Sequence, residues 1–121
     1  MVVYGIPNCN TVKKALNWLT ANGFNYEFHN FKKTGISPEK LNQWCGVFGW
    51  ENMLNKKGTT WKKVSLEEQV KVVDKDSAVS FMLSHTSAIK RPIVEQNGKA
   101  VLLSFNEGQY SVALKSPMLQ F

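Results

Sequence analysis

Among the side chains able to do covalent chemistry, Cys9 has the most informative surroundings. It ends the turn-rich segment Ile6-Pro7-Asn8-Cys9, between the apolar run Val2-Val3-Tyr4 and a helical pattern. A thiol placed where a strand ends and a helix begins meets unpaired backbone N–H groups and the positive end of the helix dipole. The thiolate is the reactive form of cysteine, and such a position favours it. Lys13 and Lys14 fall in the same first turn. Acids normally favour that position, so two lysines there oppose the dipole, and an anion bound at the loop would relieve the conflict. The alternative reading is an inert, partly buried cysteine beside two solvated lysines.

The other candidates are weaker. Cys45 lies on an apolar helix stripe beside Trp44 and Phe48, where a free cysteine packs as a small core residue. A resolving role would require it to come within about 7 Å of Cys9. Val12 stands three residues after Cys9, so there is no local C-x-x-C pair. Arg91-Pro92 leads into a strand. That is a candidate cis-proline site, where backbone could meet an extended peptide or a thiol ligand. The alternative is an ordinary trans proline on an edge strand with Arg91 in solvent. Lys56, Lys57, Lys62 and Lys63 flank Gly58-Thr59-Thr60-Trp61, read either as an anion-facing loop or as wet surface. His29 and His85 show no ligand partners and read as structural or exposed. No metal site is expected.

The elements that must position these residues follow from hydrophobic spacing. Met1 to Gly5 reads as a buried strand. Val12, Ala15, Leu16 and Leu19 recur at i, i+3, i+4 and i+7, one face of a helix. Asn10 or Thr11 is the expected cap and Asn22-Gly23 the stop. Tyr26, Phe28 and Phe31 alternate as a second strand, expected to run parallel to the first. Ser37-Pro38-Glu39 reads as a cap with proline at the first helical position, and Leu41, Trp44, Cys45 and Phe48 supply the apolar face. Trp50 to Leu54 reads as a further turn, Lys56 to Trp61 as a loop, Ser65 as a helix start and Asp76 to Ser84 as another helix. After Pro92 comes a strand from Ile93, a hairpin turn at Gln96-Asn97-Gly98-Lys99, a strand over Ala100 to Phe105, and a closing helix over Asn106 to Leu114 weakened by Gly108 and Val112. The order is β-α-β, helices, β-β-α. This is an α/β chain of one domain, 1–121, with a helical insertion at about 37–86 and no internal repeat.

Composition narrows the partners. The chain has 121 residues, 43% of them hydrophobic and 20% charged, which is globular. Its net charge is +6, and Arg91 is the only arginine among 15 basic residues. That balance suits an anionic small molecule or an acidic protein face. No basic cluster interleaved with aromatics and no zinc-finger spacing is seen, so direct nucleic-acid binding is not expected. No segment approaches the ~20 apolar residues of a membrane span. Met1 to Gly5 lacks a basic leader and Pro7 follows, so no signal peptide is expected. Two distant cysteines give no disulfide framework and fit a reducing, cytoplasmic setting.

Three stretches then carry a resemblance. Tyr4 to Ala15, Gly58-Thr59-Thr60-Trp61, and Ile89-Lys90-Arg91-Pro92-Ile93-Val94-Glu95 resemble, in order and over nearly the whole chain, the ArsC/Spx family. The likeness is strongest to its YffB-type branch of small bacterial reductase-like proteins. The resemblance implies a thioredoxin-like, glutaredoxin-like fold with a helical insertion between the β-α-β and β-β-α halves. In the arsenate reductases one cysteine of the first loop attacks arsenate, and glutathione and glutaredoxin complete the reduction. Cys9 matches that cysteine. Lys13 matches the basic residue of the first helix. Arg91 matches the basic residue before a cis-proline, which implies that Pro92 is cis.

Two departures shape the expected function. Arsenate reductases hold the oxyanion with several arginines, whereas here only Arg91 remains, with Asn55 or Lys56 and Ser104 near where the others would fall. Lysine lacks the bidentate fork of arginine. The Spx branch, which regulates transcription by binding RNA polymerase, usually shows C-x-x-C. The expected function is therefore a glutathione-dependent thiol reductase, with Cys9 as nucleophile. Asn10, Thr11, Lys13, Lys14, Arg91 and Pro92 are the expected anion- or glutathione-binding residues. Glutathione is the expected co-substrate, with no resident cofactor and with glutaredoxin as a possible second protein. The alternative is a non-enzymatic, Spx-like regulator that binds RNA polymerase. Arsenate reduction is the weaker third reading.

Overall fold

The structure is a computed structural model that describes residues 1–114; positions 115–121 of the expected domain lie outside the described residues. In chain order the elements are β1 (Val2–Gly5), α1 (Asn10–Ala21), β2 (Glu27–Asn30), α2 (Phe31–Thr34), α3 (Pro38–Phe48), α4 (Trp50–Met53), α5 (Thr59–Lys62), α6 (Leu66–Gln69), α7 (Lys75–Ser84), a 3-10 turn (Thr86–Ala88), β3 (Ile93–Gln96), β4 (Lys99–Leu103) and α8 (Glu107–Ala113). They fall into two compact units. One is built from Met1–Thr34 and the chain from Arg91 onward, the other from Gly35–Lys90.

The first unit holds one four-stranded sheet in the order β2-β1-β3-β4. The β1-β2 pair is parallel, as expected for a β-α-β crossover, while β3 runs antiparallel to both β1 and β4. This is an α/β architecture of the thioredoxin-like kind. Its core forms on one sheet face: Val3, Val94 and Leu102 meet Ala15 and Leu19 of α1 and Tyr110 and Leu114 at the C-terminal helix. Each fully buried aliphatic side chain of this kind contributes roughly 1.5–3 kcal/mol. Val12 is fully buried too. It approaches β1 closely because Gly5 has no side chain: a Cβ there would lie 3.0 Å from Val12 Cγ2.

Several local expectations change. Cys9 itself, in extended backbone, is the N-cap of α1, and no side chain caps that end; Asn10 is already helical. The second strand is shorter than the aromatic alternation suggested. Asn30 Oδ1 accepts from the backbone N–H groups of Lys32 (3.1 Å) and Lys33 (3.2 Å), starting α2, so Phe31 leaves the strand. The strand β4 stops at Leu103 rather than Phe105, because Ser104 takes φ +63 and turns the chain. The Asn97-Gly98 turn has φ of 53 and 78, the all-positive geometry of a two-residue hairpin. The closing helix forms, capped by Asn106, whose side chain accepts from Gln109 N–H.

The second unit is helical. Ser37 caps α3 by accepting from Lys40 N–H, with Pro38 at the first helical position, and Leu41, Trp44 and Cys45 are buried. Gly49 at φ +88 ends α3 and lets α4 begin at once. The stretch read as a loop contains a helical turn, α5, because Lys62 N–H bonds back to Gly58 C=O at 3.3 Å. The helix expected from Asp76 starts one residue earlier, capped by Asp74 in a capping box with Ser77. Backbone bonds from Asn55 to Ala88 and from Lys90 to Met53, both 2.8 Å, tie the end of α4 to the segment that closes the unit.

Candidate functional site

Sheet register decides what gathers at one end. In the parallel pair, Gly5 faces Asn30; in the antiparallel pair, Tyr4 faces Ile93. The chain therefore leaves β1 toward Cys9 at the same end of the sheet where Arg91-Pro92 enters β3. Because Ile93 pairs with Leu103, Ser104 lies at that end as well. The pairing of three strands thus brings the Cys9 loop, Arg91, Pro92 and Ser104 to one end of the sheet. The Arg91-Pro92 peptide bond is cis, as the resemblance implied.

Cys9 is partly exposed and free of disulfide. Its backbone carbonyl accepts from Lys13 N–H at 3.0 Å, the first bond of α1. The preceding helical N–H groups, those of Asn10, Thr11 and Val12, have no acceptor within the helix, and no side chain caps them. The first turn of α1 contains no acidic residue. Lys13 and Lys14 are exposed, Asn10 is exposed, and Thr11 is half-buried. The helix start is accordingly positive from both its dipole and its side chains, which suits an anion or a thiolate. Arg91 is half-buried and Pro92 buried. Arg91 engages other groups of the protein, while its Nε is buried away from any hydrogen-bond acceptor.

The second cysteine behaves as core. Cys45 is 4% exposed, and burial pushes its thiol pKa up, with Lys75 pulling weakly the other way. Lys56, offered as a replacement for a missing arginine, places its Nζ 5.8 Å from the Trp50 ring and 5.5 Å from the Trp61 ring, a cation–π arrangement within the helical unit. Lys57, Lys62 and Lys63 are exposed. Both histidines sit against aromatic rings: His29 lies 4.9 Å from Tyr4, and His85 stacks at 4.3 Å on Phe81. Among the described residues, no group of three or more His, Cys, Asp or Glu is placed to hold a metal. No helix among them is long and apolar enough to cross a membrane.

Sequence reasoning passed over two features. Glu95 is buried at 4% exposure and accepts a hydrogen bond from Tyr4 O–H at 3.2 Å. Its only sequence signal is an acid inside an apolar strand. The second is the corner at Ser104. Ser104 N–H donates to Pro92 C=O at 2.7 Å, and the Tyr110 hydroxyl donates to Ser104 C=O at 2.6 Å. No residue type or spacing in the sequence flags positive φ at Ser104.

A protein of Haemophilus influenzae, described as uncharacterized, is 44% identical over 93% of this chain and 97% of its own length. A solved structure described as the YFFB (PA3664) protein is 40% identical, covers 93% of this chain and 97% of that one, and superposes with a TM-score of 0.87. The global transcriptional regulator Spx of Streptococcus agalactiae is 24% identical over 85% of this chain and 74% of its own. The ArsC family profile matches residues 4–113. The chain belongs to the ArsC family.

Proposed function

We propose that this protein is a glutathione-dependent thiol reductase with Cys9 as its single nucleophile. The observation that carries the reading is the position of Cys9. It is partly exposed, and it caps a twelve-residue helix whose first N–H groups are not capped by a side chain and whose first turn ends on Lys13, with Lys14 next, and holds no acid. Membership of the ArsC family supports a reductase-like thiol role. Cys9, as thiolate, attacks the glutathione sulfur of a mixed disulfide. The Cys9–S bond forms, the S–S bond breaks, and the departing thiolate takes a proton from water. A second glutathione thiolate then attacks the glutathione sulfur held on Cys9, which releases oxidised glutathione and restores the Cys9 thiolate. The helix N–H groups of Asn10 and Thr11, together with Lys13, Lys14 and Arg91, hold the anionic tripeptide, and Pro92 offers its backbone. Glutaredoxin is the second protein that could take over the resolving step.

The test is mass spectrometry of the intact, reduced protein incubated with oxidised glutathione. A single adduct of glutathione mapped to Cys9 supports the reading. An adduct at Cys45 alone, or none, overturns it.

A second reading has one observation in its favour, the likeness to the transcriptional regulator Spx. Under it the chain is a non-enzymatic regulator that docks on RNA polymerase, and Cys9 is a sensor or a relic. An unreactive Cys9 together with co-purification of polymerase subunits would favour it. The cytoplasm, where glutathione and polymerase both reside, is the setting either reading implies.

A further inference from the structure

Tyr110 is fully buried on α8, its ring set edge-on against Trp18 at 5.6 Å and Phe105 at 4.9 Å. A buried phenol needs a partner, and this one donates to Ser104 C=O at 2.6 Å. Burial pushes the Tyr110 pKa far above the ordinary phenol range, so the hydroxyl stays a donor. Ser104 is the left-handed corner that ends β4, at φ +63, and its N–H donates to Pro92 C=O at 2.7 Å. A serine has no glycine-like freedom there, so the corner depends on being held from both sides. One hydrogen-bonded line thus runs from the closing helix, through the corner, to the residue that follows Arg91.

We propose that Tyr110 is a positioning residue for Arg91: its hydroxyl fixes the Ser104 corner, which fixes Pro92 and with it the backbone from which the Arg91 side chain reaches. This rests on the glutathione reading above, in which Arg91 guides an anionic partner to Cys9. Tyr110 is fully buried, so it acts only through the backbone of Ser104 and Pro92.

The experiment is a double-mutant cycle on the full chain, with two reagents. Tyr110→Phe keeps the ring and its packing and removes one donor. Rates of reaction at Cys9 are measured with oxidised glutathione, which is anionic, and with iodoacetamide, which is neutral. We expect Tyr110→Phe to slow the glutathione reaction roughly two- to fivefold, the scale of one net hydrogen bond, and to leave iodoacetamide alkylation unchanged. In the Arg91→Ala background, Tyr110→Phe should slow the glutathione reaction no further. Equal slowing with both reagents, or full slowing retained without Arg91, would mean that the hydroxyl only stabilises the fold, and would overturn the proposal. If the protein gives no Cys9 adduct, the glutathione reading itself fails and this proposal with it; if Arg91→Ala does not slow the adduct, the role of Arg91 and this proposal fall while the glutathione reading stands. If Arg91→Ala slows the reaction and Tyr110→Phe does not, only the role of Tyr110 falls.

Discussion

Gly5→Ala tests whether the close packing of α1 on β1 is what sets Cys9. The added methyl would lie 3.0 Å from Val12 Cγ2, 3.4 Å from Val12 Cγ1 and 3.5 Å from Phe28 Cε1. The nearest contact is tight enough that Val12 must give by a few tenths of an ångström, and Val12 has little room to do so. It is fully buried, and a β-branched residue in a helix has one strongly preferred rotamer. Relief must come from moving the first turn of α1 away from the strand. Overpacking of this kind costs about 1–3 kcal/mol, offset by about 0.5–1 kcal/mol because alanine has fewer unfolded conformations than glycine. A net loss of about 1–2 kcal/mol lowers the Tm by roughly 4–10 °C for a domain of this size. Cys9 lies three residues before Val12, so its reaction with oxidised glutathione should slow as well. Thermal denaturation and adduct kinetics read the two effects. Val12→Ala alone should cost about 2 kcal/mol, yet the double variant should be more stable than the sum of the singles by about 1 kcal/mol. Simple additivity, or a Gly5→Ala protein as stable as the parent, would refute the packing argument.

Other outcomes follow from the same geometry. Arg91→Ala should slow glutathionylation more than Lys62→Ala, and added salt should slow the parent, since charges at an exposed site are screened over about 8 Å at 0.15 M; a rate indifferent to both changes would remove charge guidance. In the folded protein, alkylation should mark Cys9 before Cys45, and equal rates would contradict the burial of Cys45. Because burial raises the Cys45 pKa, the folded state keeps that proton to higher pH than the unfolded chain. The associated stability is present below the ordinary thiol value of ~8.5 and is lost as pH rises through the raised one; in denaturant titrations the stability difference between the parent and Cys45→Ala should hold constant near neutral pH and change only in that alkaline window. Arsenate turnover with glutathione and glutaredoxin should be poor, because Arg91 is the sole arginine. Efficient turnover would show that lysines suffice.

The elements were readable where side-chain periodicity is set by burial. Val12, Ala15 and Leu19 on α1, and Leu41, Trp44 and Cys45 on α3, all point inward, because one face of each helix must meet a core. Ends were readable where a residue type dictates backbone shape, as with Ser37-Pro38 and Asn97-Gly98. Reading failed where a single hydrogen bond outcompetes the pattern. Asn30 takes two backbone N–H groups and ends β2 before Phe31, and Gly58 allows a helical turn in a stretch that composition reads as loop. For the site, Cys9 and Arg91-Pro92 stood out by residue type and position. The cap residue did not, since cysteine is a poor capping type, and Asn10 and Thr11 are better ones. The Ser104 corner was invisible because it depends on Pro92 and Tyr110, partners set by strand pairing rather than by neighbours in sequence.

The order of strands also governs how the chain is made. The partner of β1 on one side, β2, begins at Glu27, while its partner on the other side, β3, begins at Ile93. On a ribosome adding ~5–20 residues per second, the second edge of β1 waits several seconds after the first is paired. During that interval Val3 carries an open row of backbone donors and acceptors, the kind of template that pairs with other nascent chains. A polypeptide released before Ile93 has lost the strand that closes this edge and every later residue of the core. Truncated products should therefore aggregate or be degraded rather than survive as a smaller folded protein, and a codon-dependent pause placed ahead of Ile93 should be more harmful than one placed after Leu114.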